Sequence, residues 1–263
     1  PQAKILCLSW DETTPPRLAK LLTERGFGQS RIVVMEAMGG QGERTRATTA
    51  EAFRMEGIDP LNLVALEIVE TAQSRILPVA SGLADSWFET DGQLTKREVR
   101  AVTLSSLAPR RGELLWDVGA GSGSIAIEWL LCDPANRAIA IEARADRATL
   151  ISRNAARLGV PHIEIIIGKA PEAFATLPRP QAIFAGGGAS DKRLLDAAYE
   201  VLPCGGRLVV NAVTLEAEAE LIRRHKAQGG ELLRIEIARA DPLGSFQAWR
   251  PALPVTQWSV TKR

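Results

Sequence analysis

Histidine and cysteine are scarce in this chain: it has two of the first and three of the second in 263 residues. His162 and His225 are not spaced as a metal motif, which argues against a histidine-rich metal site and against a Ser-His-Asp triad; no metal is expected. Cys7, Cys132 and Cys204 are odd in number and far apart, with no CxxC pair. Neither a disulfide framework nor a zinc ribbon is suggested, and a reducing cytoplasmic setting fits. No apolar run reaches the roughly 18 residues that span a bilayer. The first residues lack a basic segment leading into an apolar core, so a soluble, unexported protein with no membrane partner is expected. The formal charge is +1, with both signs interspersed, so nothing argues for a nucleic-acid partner. The chain opens on Pro1 rather than methionine, which leaves open that it is a piece of something longer.

What is present is rhythm. From residue 113, strand-like and helix-like stretches alternate: ELLWDV then SIAIEWLLC, RAIAIEA then DRATLISRNAARLG, IEIIIG then PEAFATL, AIFAG then DKRLLDAAYEVL, RLVVNAV then LEAEAELIRRHKAQ. Short runs rich in Ile and Val suit strands buried on both faces, and the intervening helices imply a parallel, doubly wound α/β sheet. ELLRIEIARA and TQWSVTKR follow with no helix between them, joined by a loop, DPLGSFQAWRPALP. They predict a hairpin at the sheet edge, hence seven strands with the last antiparallel. Residues 1–72 read as a separate small α/β unit. Its strands are AKILCLSW, SRIVVMEAM and NLVALEIVE, and its helices TPPRLAKLLTERGFG and ERTRATTAEAFRME. Residues 73–90, rich in Ser, Gly, Pro and Asp without periodicity, read as a linker to the unit at 91–263.

The stretch DVGAGSG carries the first chemical signal. A strand ends at Asp117 or Val118; Gly119, Gly121 and Gly123 around Ala120 then let the chain turn and approach a ligand, and a helix starts at Ser124. That helix start offers free N–H groups and a positive dipole end. The third glycine comes one residue too early for a dinucleotide fingerprint. An acidic residue followed by GxGxG resembles instead the first motif of class I S-adenosylmethionine-dependent methyltransferases. Glu142 ends the next strand about 20 residues on, where a carboxylate can reach ribose hydroxyls. At the third strand end, Lys169 cannot accept hydrogen bonds from adenine, so Ala170 is the better contact there.

After the fourth strand the chain reads AIFAGGGAS, without the Asp/Asn-Pro-Pro loop of amine methyltransferases. Gly186, Gly187 and Gly188 offer bare backbone suited to a broad flat substrate or to the cofactor. DGQLTKREVRAVTLSSLAPRRGELLWDVGAGSGSIAIEW, that GGG, RLVVNAVTLE and ADPLGSFQAWRPALPV together resemble the C15-methylating, decarboxylating enzymes of cobalamin biosynthesis, over about residues 85–263. LSWDETTPPRLAKLLTERGFGQSRIVVMEAMGGQGERTRATTAEAF and NLVALEI resemble the second lobe of a tetrapyrrole methylase that modifies C5. The pair is similar to the precorrin-6Y C5,15-methyltransferase (decarboxylating) family.

That resemblance implies a class I methyltransferase fold, S-adenosylmethionine as cofactor, a precorrin tetrapyrrole as substrate and a homo-tetramer. It also implies a C5 site between two lobes, the first of which has no counterpart here, so C5 methylation is not expected of this chain. The expected cofactor contacts are Thr95, Asp117, Gly119, Ala120, Gly121, Gly123, Ser124, Glu142, Ala170 and Gly186. Substrate-site candidates are Lys96, Gly187, Gly188, Asn211, Trp249 and Arg250, with Phe246 beside them.

Several residues keep two readings. Thr95 and Glu98 have the spacing of a capping box, and in the family the same helix start covers the cofactor, where Lys96 faces a carboxylate while Arg97 and Arg100 are solvated. Thr214 caps the next helix or adjoins the site. The hairpin aromatics cover a macrocycle or an oligomer interface. Rival functions are a tRNA-adenine N1-methyltransferase, which would call for a more basic surface, and a non-catalytic cofactor-binding module.

Overall fold

The computed structural model describes residues 3–263, which divide into two compact units at Leu77 and Pro78. In the first unit, β1 (Lys4–Leu8), α1 (Thr14–Glu24), β2 (Arg31–Glu36), β3 (Arg44–Thr49) and β4 (Asn62–Glu67) follow in order. The strands form a four-stranded sheet in the order β1-β4-β2-β3, antiparallel throughout. Strict alternation buries Ile32, Val34, Val64 and Leu66 of the two central strands, and Ala19 of α1 joins the same core with Phe53. Pro15 and Pro16 lie in the first turn of α1, where a missing N–H removes no intrahelical bond.

The stretch ERTRATTAEAFRME is not the expected helix. Its first half is β3, because Thr45, Thr48 and Thr49 are stiff, β-branched residues and because Arg44 and Arg46 repeat at period two. Both guanidiniums reach across to Glu36 of β2, whose side chain is fully buried. The Glu36 carboxylate accepts from Arg44 Nη2 at 2.6 Å, from Arg46 Nε at 2.8 Å and from the Asp59 N–H at 2.9 Å.

In the second unit, α2 (Arg97–Leu107), β5 (Leu114–Val118), α3 (Ser124–Cys132), β6 (Arg137–Glu142), α4 (Ala145–Leu158), β7 (Glu164–Ile167), β8 (Ala182–Ala185), α5 (Lys192–Val201), β9 (Arg207–Ala212) and α6 (Leu215–Gln228) follow in order, alternating as read except between β7 and β8. After them come β10 (Glu231–Ile235), β11 (Ala238–Leu243), β12 (Phe246–Pro251) and β13 (Val255–Thr261). The seven-stranded sheet has the order β10-β13-β9-β8-β5-β6-β7. Only β13 is reversed, lying antiparallel between β9 and β10. Trp116, Ile139, Ile183, Leu208 and Trp258 fill one core along the sheet. The order steps in opposite directions from β5, to β6 on one side and β8 on the other. This switch point opens a crevice at the carboxyl ends of the strands.

Three local readings differ from the sequence. PEAFATL holds only a 3₁₀ turn, Glu172–Thr176. DPLGSFQAWRPALP is mostly a second hairpin, β11 with β12, closed by Gly244 and Ser245 with Gly244 at φ 63°, a two-residue turn in which glycine supplies the positive φ. Residues 82–90, within the expected linker, pack into the second unit. Leu83 and Phe88 are buried, and the Gly82 and Leu83 N–H groups donate to the Glu128 carboxylate at 2.6 and 3.0 Å.

Burial by itself would raise the Glu36 pKa, but the hydrogen bonds from Arg44, Arg46 and Asp59 outweigh it and bring the carboxyl from 4.5 down to about 2. The unfolded chain therefore binds the extra proton between these values, and the stabilisation, complete above pH 4.5, is lost as pH falls toward 2. Glu36→Ala leaves two guanidiniums that still reach water and is expected to cost about 3 kcal/mol, the lower end for a broken buried pair. Hydrogen exchange of the β2 amides, which belong to this unit alone, checks it; unchanged protection would remove Glu36 as its anchor.

Candidate active site

The glycine loop runs from the carboxyl end of β5 into α3, with Gly119, Gly121 and Gly123 all at positive φ. Each glycine answers a different need. A Cβ at Gly119 would stand 3.2 Å from the Gly187 nitrogen, so the loop after β8 approaches the loop after β5 closely. A Cβ at Gly121 would meet nothing nearer than 4.0 Å and would project into open space. A Cβ at Gly123 would strike Ile151 at 2.8 Å, so this glycine serves packing of α3 on α4.

Above the loop lies a cavity of about 840 Å³. On one side of the switch point its wall is formed by Gly119, Ala120, Gly121, Ser124 and Glu142, continuing to Gly168, Lys169 and Ala170 after β7. On the other side stand Gly186, Gly187 and Gly188 after β8, Asn211 at the end of β9, and Thr95 and Lys96 before α2. Twelve of the sixteen site residues read from the sequence are thus brought to one cavity.

Four are not among its lining residues. Gly123 is the packing position just described. Asp117 lies beneath the loop, buried, with Oδ2 accepting from the Ala126 N–H at 3.1 Å and Oδ1 without a partner. Trp249 is 75% exposed, as is its neighbour Phe246 at 78%. Arg250 pairs with Asp241 at 2.9 Å. They sit on the hairpin β11–β12, and only its base, through Ile237, Arg239, Ala252 and Leu253, lines the cavity.

Glu142 is held rigidly in the cavity wall. It is buried, and its two oxygens accept from the Gly121 N–H at 2.9 Å and the Arg144 N–H at 3.0 Å, while further lone pairs remain for donors in the cavity. Asn211 is equally fixed: its amide donates to Thr103 Oγ1 at 2.9 Å and its carbonyl accepts from Gln257 Nε2 at 2.8 Å. Thr214 does cap α6, accepting from the Ala217 N–H at 3.3 Å.

The capping box at α2 does not form. Lys96 takes the cap position, where its ammonium has no acceptor to give a cap bond, and Glu98 pairs with Arg239. Arg100 is not solvated but fully buried, bonded to Glu128 at 2.7 Å and Asp85 at 3.1 Å, and to the carbonyl oxygens of Leu83 and Thr95. The signal was available, since Arg100 shares the stripe of Thr103, Leu104 and Leu107, all buried. Arg147 and Arg239 are cavity residues that sequence reasoning missed. Among the described residues, no group of three His, Cys, Asp or Glu side chains could hold a metal ion.

Residues 86–262 match the precorrin methyltransferase domain family. A precorrin-6Y C(5,15)-methyltransferase [decarboxylating] of a Sinorhizobium species is 54% identical over 262 residues, 100% of this chain and 63% of that protein. The chain belongs to the precorrin methyltransferase family. It spans less than two thirds of that relative's length. The cobalt-precorrin-6B C(15)-methyltransferase (decarboxylating) of Salmonella typhimurium is 34% identical over 62% of this chain and 85% of its own. The solved C-terminal domain of precorrin-6Y C5,15-methyltransferase from Rhodobacter capsulatus superposes with a TM-score of 0.68 at 48% identity, covering 71% of this chain and 100% of that one. The second unit of this precorrin methyltransferase family member has the class I methyltransferase fold.

Under the family's glycine loop, burial pushes the Asp117 carboxyl up to about 7, the Ala126 N–H opposing and nearby Glu142 reinforcing the shift. The folded chain therefore holds a proton that the unfolded chain releases from 3.8 upward, so this contribution to stability is present at low pH and lost as pH rises through about 7. Asp117→Asn, which keeps an acceptor for Ala126, is expected to flatten that loss and to be more stable than the parent at pH 8. Urea unfolding followed by near-ultraviolet circular dichroism of the buried Trp116 and Trp129 reads it. Lower stability at pH 8 would mean that the loop requires the charged form.

Proposed function

We propose that this chain catalyses S-adenosylmethionine-dependent methylation at C15 of a precorrin together with decarboxylation of its acetate side chain, in cobalamin biosynthesis. The observation that carries this reading is one continuous cavity spanning the switch point, with the glycine loop and Glu142 on one flank and a wide, partly basic flank on the other. The relatives named for this chemistry support it. The tRNA-adenine reading and the non-catalytic reading are not favoured by that kinship.

The cofactor fits the residues present. Space is kept clear over Gly121, and Glu142 offers an acceptor for ribose hydroxyls. We assign Ala120, Ser124 and Ala170 to the cofactor's edges and Thr95 and Gly186 to its cover. When bound, S-adenosylmethionine supplies an electrophilic methyl group. The chain's own part is positioning, since neither histidine lines the cavity; orientation of reactants alone is worth roughly 7 to 11 kcal/mol. Gly187 and Gly188 admit a flat macrocycle against bare backbone, Asn211 is held rigid at the sheet end, and Lys96 faces carboxylates. Ile235 and Val255 add apolar lining, against which a carboxylate is poorly solvated before it leaves as carbon dioxide with its bonding electrons left on the macrocycle.

Residues 1–72 we read as the second lobe of a tetrapyrrole methylase domain. The free thiols Cys7, Cys132 and Cys204 suit a reducing cytoplasm. An isolated two-stranded ribbon is marginal in water, so the exposed Leu243, Phe246 and Trp249 of the hairpin support assembly into a homo-tetramer, for which sedimentation is expected to give the mass of four chains; a monomer would remove that reading.

Anaerobic incubation with S-adenosylmethionine and metal-free precorrin-6B, or its C5-methylated counterpart, is expected to give a product heavier by one methyl and lighter by one carbon dioxide. Unchanged mass in the presence of demonstrable cofactor binding would overturn the assignment. Glu142→Ala, folded by circular dichroism, is expected to raise the KM for S-adenosylmethionine about tenfold or more, the loss of one hydrogen bond to a charged group.

A further inference from the structure

The cavity wall holds four basic residues, Lys96, Arg147, Lys169 and Arg239, against a single acidic one, Glu142. They are not equivalent. Lys169 and Arg147 stand on the β6–β7 flank with Glu142. Arg147 is clamped by Asp91 at 2.8 Å and Gln93 at 2.7 Å and is largely buried. Lys96 and Arg239 belong to the opposite flank, where α2 packs on β9 and β13 and the hairpin rises from β10. Lys96 lies 3.7 Å from Asp85, which Arg100 already engages.

Arg239 is bound more loosely than Arg147. Its guanidinium meets one carboxylate, Glu98 in the first turn of α2, and the two side chains are 48% and 43% exposed. An ion pair between half-exposed groups is worth little in water, because solvent competes with both partners. Arg239 also lies directly opposite Arg250 in the β11–β12 ladder. Like charges placed opposite each other destabilise a strand pair; Asp241 answers Arg250 and, among the described residues, Glu98 alone answers Arg239.

From this arrangement we infer that Arg239 is a receptor for a carboxylate of the substrate, and that Glu98 is a placeholder which the substrate carboxylate displaces. The inference deepens the proposed function and rests on its polycarboxylate substrate. Guanidinium and carboxylate form a two-pronged, charge-assisted pair. The exchange trades the single Arg239 Nη2–Glu98 Oε2 bond for such a pair without leaving a buried charge unpaired, since the released Glu98 is half-exposed.

The test is equilibrium binding of uroporphyrin III, an octacarboxylic tetrapyrrole, followed by quenching of tryptophan fluorescence with S-adenosylhomocysteine present. Arg239→Ala is expected to weaken binding about tenfold and to lessen its salt dependence, while Glu98→Gln tightens it a few-fold by removing the competitor. The double variant is expected to match Arg239→Ala alone, and the affinity for S-adenosylhomocysteine to stay unchanged in all three. If the pair is only a clasp between α2 and the hairpin, both single variants weaken binding alike, and that result overturns the inference, as does binding that is indifferent to Arg239. Binding is read without turnover, so failure of C15 methylation would sink the assigned reaction and leave these shifts to decide the role of Arg239.

Discussion

The site depends first on an ion pair buried where charge is costly. Arg100 and Glu128 are both shut away from water, and such a pair holds only if its remaining donors and acceptors are met. Here they are. Glu128 takes the Gly82 and Leu83 N–H groups, and Arg100 takes Asp85 and the Leu83 and Thr95 carbonyl oxygens, with the Phe88 ring under its guanidinium at 4.8 Å. One contact set thereby joins α3, α2 and the irregular segment before α2. It sets where Thr95 and Lys96 stand at the cavity, and it explains why a stretch without helix or strand periodicity is ordered.

Two other buried carboxylates show how partners decide the sign of a charge's effect. Glu36 and Asp117 are equally hidden. Two guanidiniums and an N–H hold the first ionised, whereas the second has one N–H and a neighbouring carboxylate and is pushed toward neutrality. The first serves the architecture of its sheet. The second lies directly under the glycine loop, where an uncompensated acceptor, Oδ1, remains.

Much of the fold was legible because its signals are local. The β5 to α6 alternation follows from short apolar runs, and the reversed β13 from the missing crossover helix. The glycine loop and Glu142 were legible from spacing alone. What sequence missed depends on partners distant along the chain. Arg44 and Arg46 make a strand of a helix-like segment because Glu36 lies opposite. Glu98, expected in a capping box, pairs with Arg239, 141 residues away. Trp249 and Arg250 look like site residues by composition, yet the Gly244 turn carries them outward on a hairpin whose base alone meets the cavity.

The placement of β13 has a consequence for how the molecule comes into being. β10 is synthesised before β13 but has no neighbour in the sheet until β13 enters between it and β9. During synthesis the five strands from β7 to β9 have all their parallel partners while one flank of β9 stays open, with Leu208 and Val210 waiting for Trp258 and Val260. An open strand edge beside apolar residues invites pairing with other chains. The nascent chain therefore passes through a state in which that edge needs shielding, and the arrival of β13, inserted between two strands made before it, ends the exposure.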